Sequence, residues 1–411
     1  MHHQFRHTAT ATVAACALLL AACGGSSHDP APPAAVPPPT PVATSLEPVF
    51  STARAMDSLV FHGGSAYLSL ANSTAEGSGV VQASLPLSTA SNWSPVGMGA
   101  CGMAARGDFI MRSPRLKMAD GDLWLMQPWY DAPDTSAEHS ACTLAANIAN
   151  PASFAPRDRD LLTCNEYFCE TLTMYDIKEQ NGRLYANAGG GSNLFTSKDK
   201  GATWQVVLGQ KASMMCYASK FHVFKDRVLV GGECPLDMAF VDAYQLNADG
   251  SALASEDKLP IGLPELENRN VQFIEPVPGS KLVFIGVEGG LLRSVDEGAS
   301  FKFVIREPLE GGKGYPYIGA FLPLKSTPGH IVVGGFDKAH GRPYLAWSPD
   351  NGASWNDVST LVPGYANTGH DENGVGAVSQ IVEDPQGRIL VVLNERSDGQ
   401  GRLMLLTLGA N

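Results

Sequence analysis

Short apolar runs separated by polar turns recur along most of the chain. Seven first runs fall at residues 66–70, 123–126, 184–187, 228–230, 282–285, 331–333 and 389–393. Each has a partner run downstream, at 80–84, 142–146, 194–197, 240–246, 291–294, 344–348 and 403–408. Turn dipeptides precede several of the first runs: Asp120-Gly121, Asn181-Gly182, Pro278-Gly279, Pro328-Gly329 and Gln386-Gly387. Gly supplies positive φ and Asp or Asn bonds its own backbone, so these pairs predict tight reversals. A further apolar stretch lies upstream of each turn, for example at 221–224, 271–274, 318–322 and 377–382. The unit is therefore four strands, repeated with a mean period of roughly 50 residues, which is the pattern of a β-propeller.

Three segments, 197–204, 294–301 and 348–355, are copies of one another. All read Ser-x-Asp-x-Gly-x-(Ser/Thr)-aromatic, with Asp199, Asp296 and Asp350 at the third position and Trp204, Phe301 and Trp355 at the end. Asp and Gly set the turn, and the aromatic residue opens the next strand and packs between sheets. The motif resembles the Asp-box of the sialidase-like (BNR-repeat) propellers. That resemblance implies a structural role for the three Asp residues, in the hairpin joining the two outer strands of a blade, on the face away from the active site. A metal or catalytic role for them is the alternative.

The spacing of the copies fixes the count. Asp296 to Asp350 is 54 residues, one blade, and Asp199 to Asp296 is 97, two blades. The skipped unit carries a degenerate turn at Asn247-Ala-Asp249-Gly250. The expectation is an all-β chain with a single β-propeller over 46–411, of seven four-stranded blades, with six (as in true sialidases) as the runner-up. The last unit holds three strands, so residues 46–52 are expected to return as its fourth and close the ring, hiding edges that would invite aggregation.

Composition narrows the function. The 411 residues include 43 Gly and 28 Pro, are 17% charged and carry a net charge of −12, which argues against nucleic-acid binding. Arg6 and several His precede the apolar run 13–22, too short to span a bilayer. It ends Leu20-Ala21-Ala22-Cys23-Gly24-Gly25. This resembles a bacterial lipobox, implying a signal peptide over 1–22 and acylation of Cys23, with an ordinary signal peptide as the alternative. Two or more acyl chains make a stable anchor, and Gly24 after the Cys suggests the outer membrane. Residues 23–45, rich in Pro and Ala, read as a semi-rigid tether.

Six further cysteines, Cys101, Cys142, Cys164, Cys169, Cys216 and Cys234, are an even set in an exported chain and predict three disulfides. A metal site at Cys164 and Cys169 is the weaker reading. In the propeller arrangement all six map to the face opposite the repeated turns, which suggests Cys101–Cys142, Cys164–Cys169 and Cys216–Cys234. The same loops hold Trp129, Tyr130, Tyr167, Arg269, Tyr315, Tyr317 and Arg342 as candidate ligand-binding residues. Aromatic faces stack on flat groups and polar groups orient them. His370, Asp371 and Glu372 form the densest ionisable cluster, before the last inner strand, and are the catalytic candidates for acid–base work. A hydrated channel mouth is the bland alternative.

The resemblance to sialidases covers the repeats and not the catalytic set. Such enzymes need an arginine triad, a Tyr nucleophile with its Glu and an acid–base Asp, and an Arg-Ile-Pro motif for which Arg112-Ser113-Pro114 is a poor match. No phosphate-binding loop, His-Glu-x-x-His or nucleophile elbow occurs, and the ten His show no metal spacing, so no cofactor or metal is expected. The expectation is a lipid-anchored exported propeller that binds a glycan, surface polymer or envelope protein without catalysis. Some seven-bladed relatives act as assembly scaffolds, which favours a protein partner. The rival is a glycan-active enzyme, a hydrolase or polysaccharide lyase, at the channel mouth.

Overall fold

The computed structural model describes residues 44–409 apart from 71–79, 97–109, 112–114, 128–129, 132–141, 148–154, 158–159, 165–168, 173, 189–192, 210–216, 235–237, 268, 307–308, 311–312, 315, 338–341, 364, 366–375 and 396–399. Among these, regular structure is strand apart from one short 3-10 turn at Ser359–Leu361. No helix among the described residues is long and apolar enough to cross a membrane.

The strands form seven four-stranded antiparallel sheets. The first is Met56–His62, Ser65–Leu70, Val80–Ser84 and Ser94–Pro95; the second is Arg115–Ala119, Asp122–Gln127, Cys142–Asn147 and Ala155–Pro156. The third is Met174–Gln180, Arg183–Ala188, Asn193–Ser197 and Gln205–Leu208; the fourth is Tyr217–Val223, Arg227–Cys234, Met238–Leu246 and Leu253–Leu259. Val271–Pro276, Val283–Val287, Gly290–Ser294 and Lys302–Arg306 make the fifth, and Tyr317–Pro323, Ile331–Asp337, Arg342–Ser348 and Asn356–Asp357 the sixth. Each of these six comes from one continuous stretch of chain. The seventh is composite: Gly376–Glu383, Ile389–Glu395 and Gly401–Thr407 are completed by the N-terminal strand Ser45–Thr52. Blades built from continuous chain alone therefore number six, and the closing blade is the seventh sheet.

Successive innermost strands touch one another around the ring, and the seventh touches the first. The apolar core is correspondingly divided. Trp124 and Met126 of the second blade pack on Ile177, Leu184 and Phe195 of the third. Tyr185 and Leu194 of the third meet Phe221, Val228 and Val230 of the fourth. Equivalent clusters fill every other interface, including Leu390, Val392 and Leu403 of the seventh against Leu59, Ala66 and Leu68 of the first. Strands buried on both faces explain why the second strands read as unbroken apolar runs, such as Val283–Val287, buried throughout. Each large side chain so buried contributes about 1.5–3 kcal/mol.

The three repeated turns have one geometry. In the first, Ser197 Oγ donates to Asp199 Oδ1 at 2.8 Å and accepts from Gly201 N at 2.8 Å, while Asp199 accepts from Thr203 N at 2.9 Å and from Thr203 Oγ1 at 2.6 Å. Ser294/Asp296/Ser300 and Ser348/Asp350/Ser354 repeat it. The glycine is required twice over: φ is +76° at Gly201, and a Cβ there would lie 2.5 Å from the Trp124 ring in the preceding blade. Gly352 is likewise seated on Phe284, and the degenerate turn of the fourth blade seats Gly250 on the Tyr185 hydroxyl. Each turn is thus a wedge fixed against its neighbour.

Closure adds a clasp. Ser45–Thr52 runs antiparallel to Gly401–Thr407 from Ser45↔Thr407 to Thr52↔Gly401. The Asn394 amide bonds both backbone groups of Met56, and Gln380 Oε1 accepts from Leu59 N at 2.6 Å, so seventh-blade side chains hold the first inner strand.

Two outcomes follow. Asn394→Ala strands the Met56 backbone groups and should cost about 1–3 kcal/mol in chemical denaturation, whereas Val295→Ser on the exposed turn face should change little. The repeated-turn hydrogen bonds hold Asp350 at about 2, the side-chain and backbone bonds of Ser354 first among them. Bonds from Ser300 and Ser294 outweigh desolvation to bring Asp296 to about 2 as well. A carboxylate lowered on folding stabilises above its ordinary value of 3.8 and stops doing so as pH falls towards 2. Stability should fall over that window, and Asp296→Asn with Asp350→Asn should flatten the decline.

Candidate functional site

Side chains alternate across each innermost strand, so one set enters the blade interfaces and the other faces the ring axis. Leu116, Ile177, Phe221 and Ile274 are buried in the interfaces. The alternate positions carry Arg115 and Lys117, Asp176 and Lys178, Lys220 and His222, and Glu275. Irregular pairing just after the start of six inner strands, for example between Met56 and Leu59 or Met174 and Asp176, re-aims side chains where they enter the channel. At the first of these, Ser58 Oγ accepts from Leu116 N of the next blade at 2.6 Å.

The axial groups form a ladder of ion pairs running from blade to blade. Arg115 Nε is 3.7 Å from Asp57 Oδ2, Lys117 Nζ is 2.5 Å from Asp176 Oδ1, and Lys178 Nζ is 2.6 Å from Glu275 Oε1. Lys178 also bonds the Ile274 carbonyl at 3.0 Å. These side chains keep between 12% and 41% of their exposure, so water reaches them and screens the pairs. The charge is one-sided. The inner strand of the sixth blade, Tyr317–Pro323, carries no charged residue, and that of the seventh has only Glu383, at its far end, accepting from Lys325 N and Ser326 N.

The ladder perturbs its members. Desolvation raises Asp57 against the pull of Arg115. Desolvation also opposes ionisation of Asp176, but Lys117 and Lys178 win and hold it low. Lys117 is raised because Asp176 and Glu275 outweigh its own desolvation. Lys220 goes the other way: burial, then Arg115, brings it down to about 8, with Lys178 and Lys117 adding to Arg115 and Asp176 opposing. Burial and the same two lysines put His222 at about 3, so it is neutral at physiological pH.

The described residues among those singled out from the sequence are not members of the ladder. Arg269 is 1% exposed; its Nη1 donates to the Glu288 and Gly289 carbonyls at 3.1 and 2.7 Å, and its guanidinium stacks over Phe303. It ties the loop entering the fifth blade to that blade's second hairpin. Tyr317 stacks on Phe336, its cross-strand partner, at 4.6 Å, and Arg342 bonds Asp337 at 3.1 Å and the Tyr365 hydroxyl at 2.7 Å. Tyr130 lies in a short strand with Met111 opposite. Trp129, Tyr167, Tyr315, His370, Asp371 and Glu372 lie outside the described residues, as do Cys23, Cys101 and Cys216. Cys164 and Cys169 are directly paired positions in the hairpin Leu162–Cys164/Cys169–Thr171, Cys142 opens a strand, and Cys234, closing another, is disulfide-bonded. No cluster of three metal-ligating side chains occurs among the described residues.

On the face of the repeated turns, a cavity of about 620 Å³ opens between the fourth and fifth blades, walled by His222, Phe224, Arg227, Val277, Pro278 and Glu297. Neither it nor the axial ladder was anticipated from the loops. The ladder had a signal in the sequence: ionisable residues two apart within strands, Arg115-Leu-Lys117, Asp176-Ile-Lys178 and Lys220-Phe-His222, where an apolar neighbour marks the buried face.

The fold and this channel define a β-propeller with a charged axis. No family model and no curated protein matches the chain. Among solved structures it is similar to YCF48 bound to D1 peptide, at 13% identity and TM-score 0.51, over 89% of this chain and 96% of that one. It is also similar to YCF48 from Cyanidioschyzon merolae, at 10% identity and TM-score 0.52, over 88% and 98%. The extracellular domain of a one component system from B. thetaiotaomicron matches at 11% identity and TM-score 0.51, over 88% of this chain and 40% of that one. These likenesses establish the propeller fold.

Asp176 is the keystone of the ladder. Asp176→Asn leaves Lys117 and Lys178 facing each other without their shared carboxylate, and should cost about 1–3 kcal/mol after screening. Lys220 should then titrate below its present value near 8, read by NMR of isotopically methylated lysines.

Proposed function

We propose that this protein is a non-catalytic recognition propeller of the Asp-box type, held in the bacterial envelope by a lipid on Cys23 and a Pro-rich tether, and that it binds a partner protein at the channel. The single observation carrying this reading is the ladder. The carboxylates Asp57, Asp176 and Glu275 on the axis are engaged by cations of other blades, an arrangement that presents fixed charge to a partner. An acid–base pair needs instead two groups with opposed, unshared protonation. YCF48, of the same fold, has been solved with a bound peptide, which supports a polypeptide over a glycan as occupant. In this reading the cysteines pair as Cys101–Cys142, Cys164–Cys169 and Cys216–Cys234 and stiffen the loops of the binding face, opposite the repeated turns. Outer-membrane residence follows from Gly24 after the lipidated Cys.

Photo-cross-linking in intact cells tests the reading. With p-benzoylphenylalanine in place of Tyr317, one discrete adduct with an envelope protein is expected, and none with the probe at Val295 on the turn face. Release of product from an envelope polysaccharide, without a protein adduct, would replace binding by glycan catalysis. Cys23→Ala should abolish palmitate labelling and move the protein from the membrane to the soluble fraction; retention in the membrane would remove the anchor from the proposal.

A further inference from the structure

We infer that the axial channel takes one carboxylate group, seated against the Lys220 ammonium. The inference rests on the binding reading above and supplies the chemistry of what is bound.

Three of the four described channel cations are satisfied by a carboxylate of another blade: Arg115 by Asp57 and Lys117 by Asp176 of adjacent blades, and Lys178 by Glu275 two blades on. Lys220 makes no hydrogen bond or ion pair of its own among the described residues, and it feels Asp57 and Asp176 only at longer range. It stands on the inner strand of the fourth blade, between Lys178 of the third and Glu275 of the fifth, with neutral His222 two positions further along the same face. Among the described residues, four cations against three carboxylates leave one positive charge on the axis.

That balance selects the ligand. A partly desolvated cation without a partner is costly, and an anion that reaches it recovers part of the cost. A singly charged planar carboxylate neutralises the excess. A dianionic phosphate would overshoot and be repelled by Asp57, Asp176 and Glu275. Without ligand, desolvation and then repulsion by Arg115, Lys178 and Lys117 destabilise the Lys220 ammonium. A seated carboxylate reverses this, so binding and protonation of Lys220 are linked: the ligand raises the lysine pKa, and raising the pH through that pKa releases the ligand. The inner strands of the sixth and seventh blades carry no charged residue except Glu383, whose carboxylate accepts from Lys325 N and Ser326 N, so among the described residues that side of the ring adds no competing charge.

The test uses the full chain with its lysines methylated with carbon-13, the Lys220 signal being assigned by its loss in Lys220→Gln. The probes are acetyl-trialanine with a free carboxyl, the same peptide amidated, glucuronate and inorganic phosphate. The free-carboxyl peptide should raise the Lys220 pKa by about one unit, a tenfold change in proton affinity. The amidated peptide should leave it unmoved, and phosphate should bind more weakly than the carboxylate. Lys220→Gln should fold with an unchanged or higher Tm, since it removes an uncompensated cation, and should lose the response of the remaining channel lysines to the peptide. Equal effects of acid and amide, or no movement with any carboxylate, would overturn the inference. If a cross-linked partner still binds Lys220→Gln with wild-type affinity, the carboxylate site falls while the binding reading stands. A response to glucuronate alone keeps the site and overturns the polypeptide as its occupant.

Discussion

Everything in this molecule depends on apolar packing between neighbouring blades. A single four-stranded sheet has two faces to bury and cannot cover either by itself. The ring solves this by lending each face to a neighbour, so that Trp124 is covered by Ile177 and Phe195 of the next blade while Leu390 closes on the first. No blade has a core of its own. Stability is therefore a property of the closed ring, and the join between first and last blades is where it is most exposed. The N-terminal strand Ser45–Thr52 and the Asn394 clasp on Met56 secure that join.

The repeated turns belong to the same constraint. Their hydrogen bonds are internal, but their glycines lie against the preceding blade: Gly201 on Trp124, Gly298 near Leu229, Gly352 on Phe284. Any side chain at those positions would push the blades apart. The turn is thus both a hairpin closure and a spacer that sets the distance between sheets. Blade four keeps the spacer with a different sequence, seating Gly250 on Tyr185 and pairing Asp249 with Arg183.

Packing outside the axis leaves the inner strands to decide what lies on it. Because alternate side chains are committed to the interfaces, the remainder must share a narrow space, and they do so as an ion-pair ladder. The ladder ties the inner strands of the first, second, third and fifth blades and passes the fourth, whose Lys220 and His222 are desolvated and left uncharged or poorly matched. One polar structure therefore serves both to fix the ring and to leave one cation for a ligand.

Local chemistry was legible in the chain. Ser-x-Asp-x-Gly repeats, turn dipeptides and strand-length apolar runs encode propeller blades because each acts within a few residues, and even the return of the N-terminus follows from counting three strands in the last unit. The sequence also carried the alternation Arg115-Leu-Lys117 and Lys220-Phe-His222, readable once those strands are known to line an axis. The site itself was not legible. Arg269 stands in a loop, and its bonds to the Glu288 and Gly289 carbonyls arise only in the folded chain. Asp176 and Lys117, 59 positions apart, become partners only when two blades meet. Side-chain periodicity is set by the backbone, so the sequence determines it. Which charges face one another is set by how rigid blades pack around the ring, and only the tertiary structure decides that.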